Sequence, residues 1–176
     1  HASTGHSLDT LAVVRASQAI SSAPALDALF PQLLRVVMQQ GGAQRGALVL
    51  DREGQLVLAA TGVTEGGHIG VTVVTPFAPL SHETVPTSVV HSVQRSLKAV
   101  RLGQATRHET FSSDPYIVRE QTQSLLCLPI VRQGALQAVL LLETNLIANA
   151  FTPERLEALD LLATQLAISL ENALLV

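Results

Sequence analysis

Cysteine, tryptophan and lysine are almost missing from this 176-residue sequence, which has one Cys, no Trp and a single lysine, Lys98, against ten arginines. The lone Cys127 excludes an internal disulfide framework and any metal centre built on paired cysteines. Charged residues make up 14% and the net charge is −3, with a pI of about 6.0. No basic footprint for nucleic acid or anionic lipid is therefore present. Long apolar runs are lacking as well. The strongest, 125–131 and 138–142, fall far short of the roughly 20 residues a bilayer span needs, so a membrane partner is not expected. The GxSxG, GxxxxGK and GxGxxG patterns are absent, which removes the usual nucleophile elbow and phosphate cradles. One thiol and no leader pattern give a reducing, cytoplasmic location as the expectation. Residues 1–6 read as an excision edge, and 7–176 as one domain.

What the sequence does have is apolar mass: 47% of it is hydrophobic, enough for a substantial core. Residues 7–22 place Leu8, Leu11, Ala12, Ala16, Ala19 and Ile20 at helical spacing. A second helix, announced by Ser22 and Pro24, carries Leu26, Leu29, Phe30, Leu33 and Val37 on one stripe and stops at Gly41-Gly42. Pro31 should kink it or delay its start. Strand signals at 43–50 and 55–61 flank the turn Asp51-Arg52-Glu53-Gly54. A polar loop is expected over 62–68, a third strand over 69–75, and irregular chain between Pro76 and Pro86. Pro86 opens a short helix expected to turn Val89, Val90, Val93 and Leu97 inward. A short strand at 98–102 and a helix begun by Asp114-Pro115 and ending at Glu120 follow. The runs 124–131 and 135–143, joined across Arg132-Gln133-Gly134, are continuously apolar, as strands covered on both faces are. Hairpin connections dominate, so the fold class is α+β with a mostly antiparallel sheet.

Chemistry is thinly signalled. His82-Glu83 and His108-Glu109 start like zinc-protease helices, but each lacks the second His four residues on. Cys127 lies in apolar strand with no electropositive neighbour, which marks a buried, inert thiol. The last helix, 152–175, is more informative. Leu156, Leu159, Ala163, Leu166, Leu170 and Ala173 form a seam with 3,4 spacing. A second line, Leu161, Ile168 and Leu175, repeats at seven on another face. The first is assigned to the home domain and the second to an opposing helix.

The segments Ala43-Gln44-Arg45-Gly46-Ala47-Leu48-Val49-Leu50, Asp114-Pro115-Tyr116-Ile117, Ser124-Leu125-Leu126-Cys127-Leu128-Pro129-Ile130 and Phe151-Thr152-Pro153-Glu154-Arg155-Leu156 resemble GAF domains. The likeness is greatest to the GAF module of large bacterial signalling kinases, and it runs over nearly the whole chain. It implies a central antiparallel sheet with the terminal helices on one face and short helices and loops over a small-molecule pocket on the other. It also implies an exit helix leading into a kinase's dimerisation region. The pocket side would be 75–123, where Thr87 and Ser88 present free amides at a helix start. His91 lies one turn on, and Tyr116 offers an aromatic face with a hydroxyl. Each also has a structural reading as cap, surface or filler.

Cyclic-nucleotide-binding relatives carry an N-K…F…D-E signature. Here Leu146 follows Asn145, and Thr-Pro-Glu-Arg follows Phe151. Bilin-binding relatives attach through a pocket-side Cys, typically followed by His, whereas Leu128 follows Cys127. The free-methionine-sulfoxide reductases of this fold use several cysteines. Cyclic nucleotide and bilin are therefore disfavoured as cofactors, and none is expected. The expectation is a non-catalytic sensory and homodimerisation module of a kinase, with an unknown small-molecule ligand. The alternatives are a ligand-free spacer, or an enzyme using His91, His108 or Tyr116 as acid or base.

Overall fold

The computed structural model describes residues 26–174. The helix expected over 7–22, the Ser22–Pro24 cap and the Leu175 position lie outside these residues. In chain order the elements are α1 (Leu26–Gly41), β1 (Arg45–Arg52), β2 (Gln55–Glu65), β3 (His68–Pro79), α2 (Thr87–Ser96), β4 (Val100–Leu102), α3 (Pro115–Glu120), β5 (Ser124–Arg132), β6 (Ala135–Thr144) and α4 (Pro153–Leu174). A 3-10 turn, Ala105–Arg107, stands between β4 and α3.

The six strands form one sheet in the order β3-β2-β1-β6-β5-β4, antiparallel throughout. The continuous apolar strands are explained by two cores, because side chains alternate between faces and both faces are covered. Leu48 and Leu50, Leu126, Leu128 and Ile130, and Ala138, Leu140 and Leu142 point to a core shared with α1 and α4. Ala47 and Val49, Leu125 and Cys127, and Val139 and Leu141 point to a second core under α2 and α3. The hairpin expected from β5 and β6 is formed, and neither strand lies at an edge.

Gly46 and Gly62 are opposite partners on β1 and β2, and they let α1 sit close to the sheet. A Cβ on Gly62 would meet the Met38 sulfur, and one on Gly46 would lie 2.9 Å from Met38 Cγ. The helix continues through Pro31 and ends at Gly41, after which Gly42 takes positive φ. The proline leaves one fewer backbone amide for the ladder and no break in it.

Three local expectations are corrected. The loop expected over 62–68 is a Gly66-Gly67 turn in a long hairpin, since both residues have positive φ and β2 and β3 pair from Glu65–His68 outward. β3 also runs through Pro76 to Pro79, which is tolerated because it is an edge strand. Leu97 does not turn inward: it is the left-handed cap of α2 and is 40% exposed. On α4, Leu159, Leu166 and Leu170 are buried in the home core, while Leu161 is exposed and Ile168 half-buried.

Candidate functional site

Strand parity places charge on the second core. Glu143 continues the Val139–Leu141 face of β6, and Arg45 continues the Ala47–Val49 face of β1. Arg45 and Glu143 are also direct cross-strand partners, so a guanidinium and a carboxylate meet on the floor of that face. α3 brings Tyr116 and Glu120 over them. A cavity of about 130 Å³ opens here, floored by Arg45–Ala47, Thr61–Gly62, Leu141 and Glu143, and walled by Tyr116, Glu120, Glu83 and Thr84.

Glu143 is 1% exposed. Its Oε1 accepts from the Tyr116 hydroxyl at 2.5 Å and lies 3.6 Å from Arg45 Nε. Its Oε2 is buried without a partner. The buried Thr122 hydroxyl lies beside this carboxylate and favours its charged form, although the contact falls outside ordinary hydrogen-bond geometry. Arg45 Nη1 donates to Glu120 Oε1 at 2.6 Å.

Burial pushes the Glu143 carboxyl above its ordinary value, opposed by the Tyr116 hydrogen bond and by Arg45. Burial and the neighbouring Glu143 charge push the Tyr116 phenol up as well, so it keeps its proton and donates. Partial burial works against the Arg45 charge, yet the Glu120 hydrogen bond and the surrounding negative groups outweigh it and hold Arg45 above its usual value. The result is a charged network built around one buried carboxylate.

The wall is braced from behind. Asp114 is buried and accepts from Tyr116 N at 2.9 Å, from Ser88 N at 3.1 Å and from the Ser88 hydroxyl. One carboxylate thereby caps α3 and satisfies the first turn of α2, locking the two short helices together. Arg119 donates to the carbonyls of His82 and Glu83 at 3.3 and 2.8 Å, and its guanidinium lies 5.4 Å from the Tyr116 ring centre. The loop carrying Glu83 and Thr84 is thus tied to α3.

Of the sequence-derived pocket candidates, Tyr116 is on the cavity wall. Thr87, Ser88 and His91 are not among its lining residues; Ser88 is bound to Asp114, and His91 is exposed with its Nδ1 3.4 Å from Gln94 Oε1. His108 Nδ1 faces the amides of Thr110 and Phe111 at 3.1 and 3.3 Å, and its ring stacks on Phe111. It shapes its own turn. No cluster of three metal-ligating side chains occurs among the described residues. Cys127 is fully buried, and burial pushes its thiol well above the usual range. Arg45, Glu120 and Glu143 were missed by sequence reading. The available signal was a glutamate closing the Val139–Leu142 run of a central strand, where charge is costly.

Comparison with known proteins assigns this α+β fold to a family. The GAF domain family model matches residues 25–170. The chain belongs to the GAF domain family. Among curated relatives, the hybrid signal transduction histidine kinase G of Dictyostelium discoideum is 42% identical over 86 residues, covering 49% of this chain and 2% of that protein. The sequence resemblance had pointed to bacterial kinases. The GAF domain of an Acinetobacter phosphoenolpyruvate-protein phosphotransferase superposes with a TM-score of 0.71 at 20% identity, covering 94% of each chain. A free methionine-R-sulfoxide reductase from Neisseria meningitidis, solved with its substrate, superposes with a TM-score of 0.69 at 15% identity, covering 96% of this chain and 92% of that one. No helix among the described residues is long and apolar enough to cross a membrane.

Proposed function

We propose that this domain is the sensory module of a cytoplasmic signalling kinase, binding a small molecule over Glu143 and reporting through α4. The observation that carries the reading is the charged Arg45–Glu143–Tyr116 network lining a cavity in an otherwise apolar layer.

The path outward is short. β6 ends just after Glu143, and the loop over 145–152 is pinned before α4 begins. Asn145 Nδ2 donates to the Glu120 carbonyl at 2.9 Å. The Ser124 hydroxyl donates to Ile147 O at 2.8 Å and accepts from Ala150 N at 2.9 Å. Arg155 reaches Ala150 O at 3.0 Å and Gly41 O at 3.3 Å. A shift of α3 on ligand binding would therefore move the start of α4.

The dimer reading rests on α4, where Leu161 is 53% exposed and the half-buried Ile168 follows it at a spacing of seven. A second copy packing along this line would set the register of a downstream kinase region. Thiol catalysis has no support from a Cys127 that water does not reach.

Small molecules released on denaturing the purified protein, identified by mass spectrometry, test the reading. One compound at near-stoichiometric yield from wild type, and absent from Glu143→Gln, is the expected result. Equal yield from both proteins would contradict it.

A further inference from the structure

We propose that the open edge of β4 is a docking surface for an extended acidic segment of another protein, which adds to the sheet as a further strand. β4 closes the sheet and, among the described residues, pairs only with β5. The ladder fixes which of its backbone groups face outward. Gln44 N donates to Glu143 O at 2.9 Å, so Glu143 faces β1 while Leu142 and Thr144 face β5. Their partners Leu126 and Ser124 therefore face β6, and Leu125 and Cys127 turn toward β4. Ala105 N, donating to Gln123 O at 2.7 Å, follows the same alternation. Leu125 and Cys127 oppose Leu102 and Val100, which leaves the amide and carbonyl of Arg101 directed away from the sheet. Past Arg101 the edge is closed, because Asn149 N donates to Gly103 O at 3.0 Å.

Charge selects the partner. Between Glu83 and Glu109 the chain has no Asp or Glu, in a protein of net charge −3. The same stretch carries Arg95, Lys98, Arg101 and Arg107, all exposed. None of the four is in an ion pair among the described residues. A basic edge repels the identical edge of a second copy and attracts a strand of opposite charge. Backbone groups at Arg101 call for a peptide main chain, as in other strand additions, and the cations around them call for acidic side chains.

The adjoining face offers room. Arg101 opposes Leu126, so its side chain lies on the α4 side of the sheet, where Nη1 donates to Phe151 O at 3.3 Å. A cavity of about 250 Å³ opens there, with Arg101, Gly103, Asn149 and Thr152 in its lining. An Asp or Glu side chain of the added strand would enter it beside the Arg101 guanidinium.

The test uses the 176-residue protein and an end-blocked heptapeptide of alternating glutamate and valine, at low salt and neutral pH. Amide resonances of residues 98–103 are followed by NMR. Saturable shifts are expected there, with an affinity that falls as salt is raised. The same peptide with proline for valine keeps its charge but loses amide donors, and should bind at least tenfold more weakly. Lysine in place of glutamate should abolish binding. Arg95→Glu with Lys98→Glu should weaken the acidic peptide at least tenfold, and Arg35→Glu, on the exposed side of α1, less than threefold. Equal binding of the proline peptide would overturn strand addition, and unchanged affinity in the double variant would overturn the charge assignment. Flat resonances, or a thymidine heptanucleotide binding as tightly at the same residues, would overturn the docking of an acidic peptide. Each of these outcomes leaves the sensory reading in place.

Discussion

Glu143 is the penultimate residue of β6, where the five preceding side chains are all apolar and buried, and its position there has two measurable consequences. The first concerns protons. Burial raises its folded-state value above the ordinary 4.5, so the folded protein holds this proton more tightly than the unfolded chain. That contribution to stability is fully present below the unfolded value and is lost as pH rises through the folded one. Glu143→Gln should therefore gain on wild type in urea midpoint as pH rises from about 4.5 toward neutrality, and a gap that narrows instead would contradict the sign. The second concerns Tyr116. Tyr116→Phe leaves another carboxylate oxygen without a donor, and a loss of about 1–3 kcal/mol is expected. In a double-mutant cycle with Glu143→Gln the two effects should be non-additive, because the hydroxyl and the carboxylate share one bond. Additive effects would mean the bond contributes nothing.

At the scale of elements, helix α1 depends on two residues that sequence reading passed over. Gly46 and Gly62 face each other across β1 and β2, and Met38 fills the space that their missing side chains leave. Gly62→Ala should cost about 1–3 kcal/mol by overpacking a core without slack, with thermal unfolding as the check. Both glycines sit inside strand-like sequence, where nothing in the one-dimensional pattern distinguishes a close approach from an ordinary strand residue. Strand identity was legible because alternating faces and continuous apolarity are local properties. The β2–β3 hairpin was read too short because Pro76 and Pro79 suggest irregular chain, and only an edge position makes them compatible with a strand. Helix α4 carried its division of labour openly: Leu159 and Leu166 are fully buried, whereas Leu161 is half out. Leu161→Glu with Ile168→Glu should abolish self-association in sedimentation while leaving the fold intact, and Leu166→Glu should unfold the domain. Equal mass for wild type and the double variant across the micromolar to millimolar range would remove the interface.

The whole molecule is a sheet with two unlike faces. One carries α1 and α4 over an almost purely aliphatic core; the other carries α2 and α3 over a core interrupted by one charged network. The family resemblance implies a pocket on the α2–α3 side of the sheet, and Tyr116 lines a cavity on that side. Arg45, Glu120 and Glu143 stayed hidden because they come together through register: Arg45 and Glu143 are 98 residues apart in sequence and adjacent across β1 and β6. The start of α2 offers local amides in the sequence, whereas Asp114, distant in sequence, takes up Ser88 through both its amide and its hydroxyl. The faces are joined at the end of β6, where the charged network gives way to the loop that starts α4. Amide hydrogen exchange of wild type compared with Tyr116→Phe tests that connection most directly. Faster exchange in α3, residues 145–152 and the first turns of α4, with α1 unchanged, is the expected result. Exchange that quickens only around Glu143, with 145–152 and α4 untouched, would contradict it.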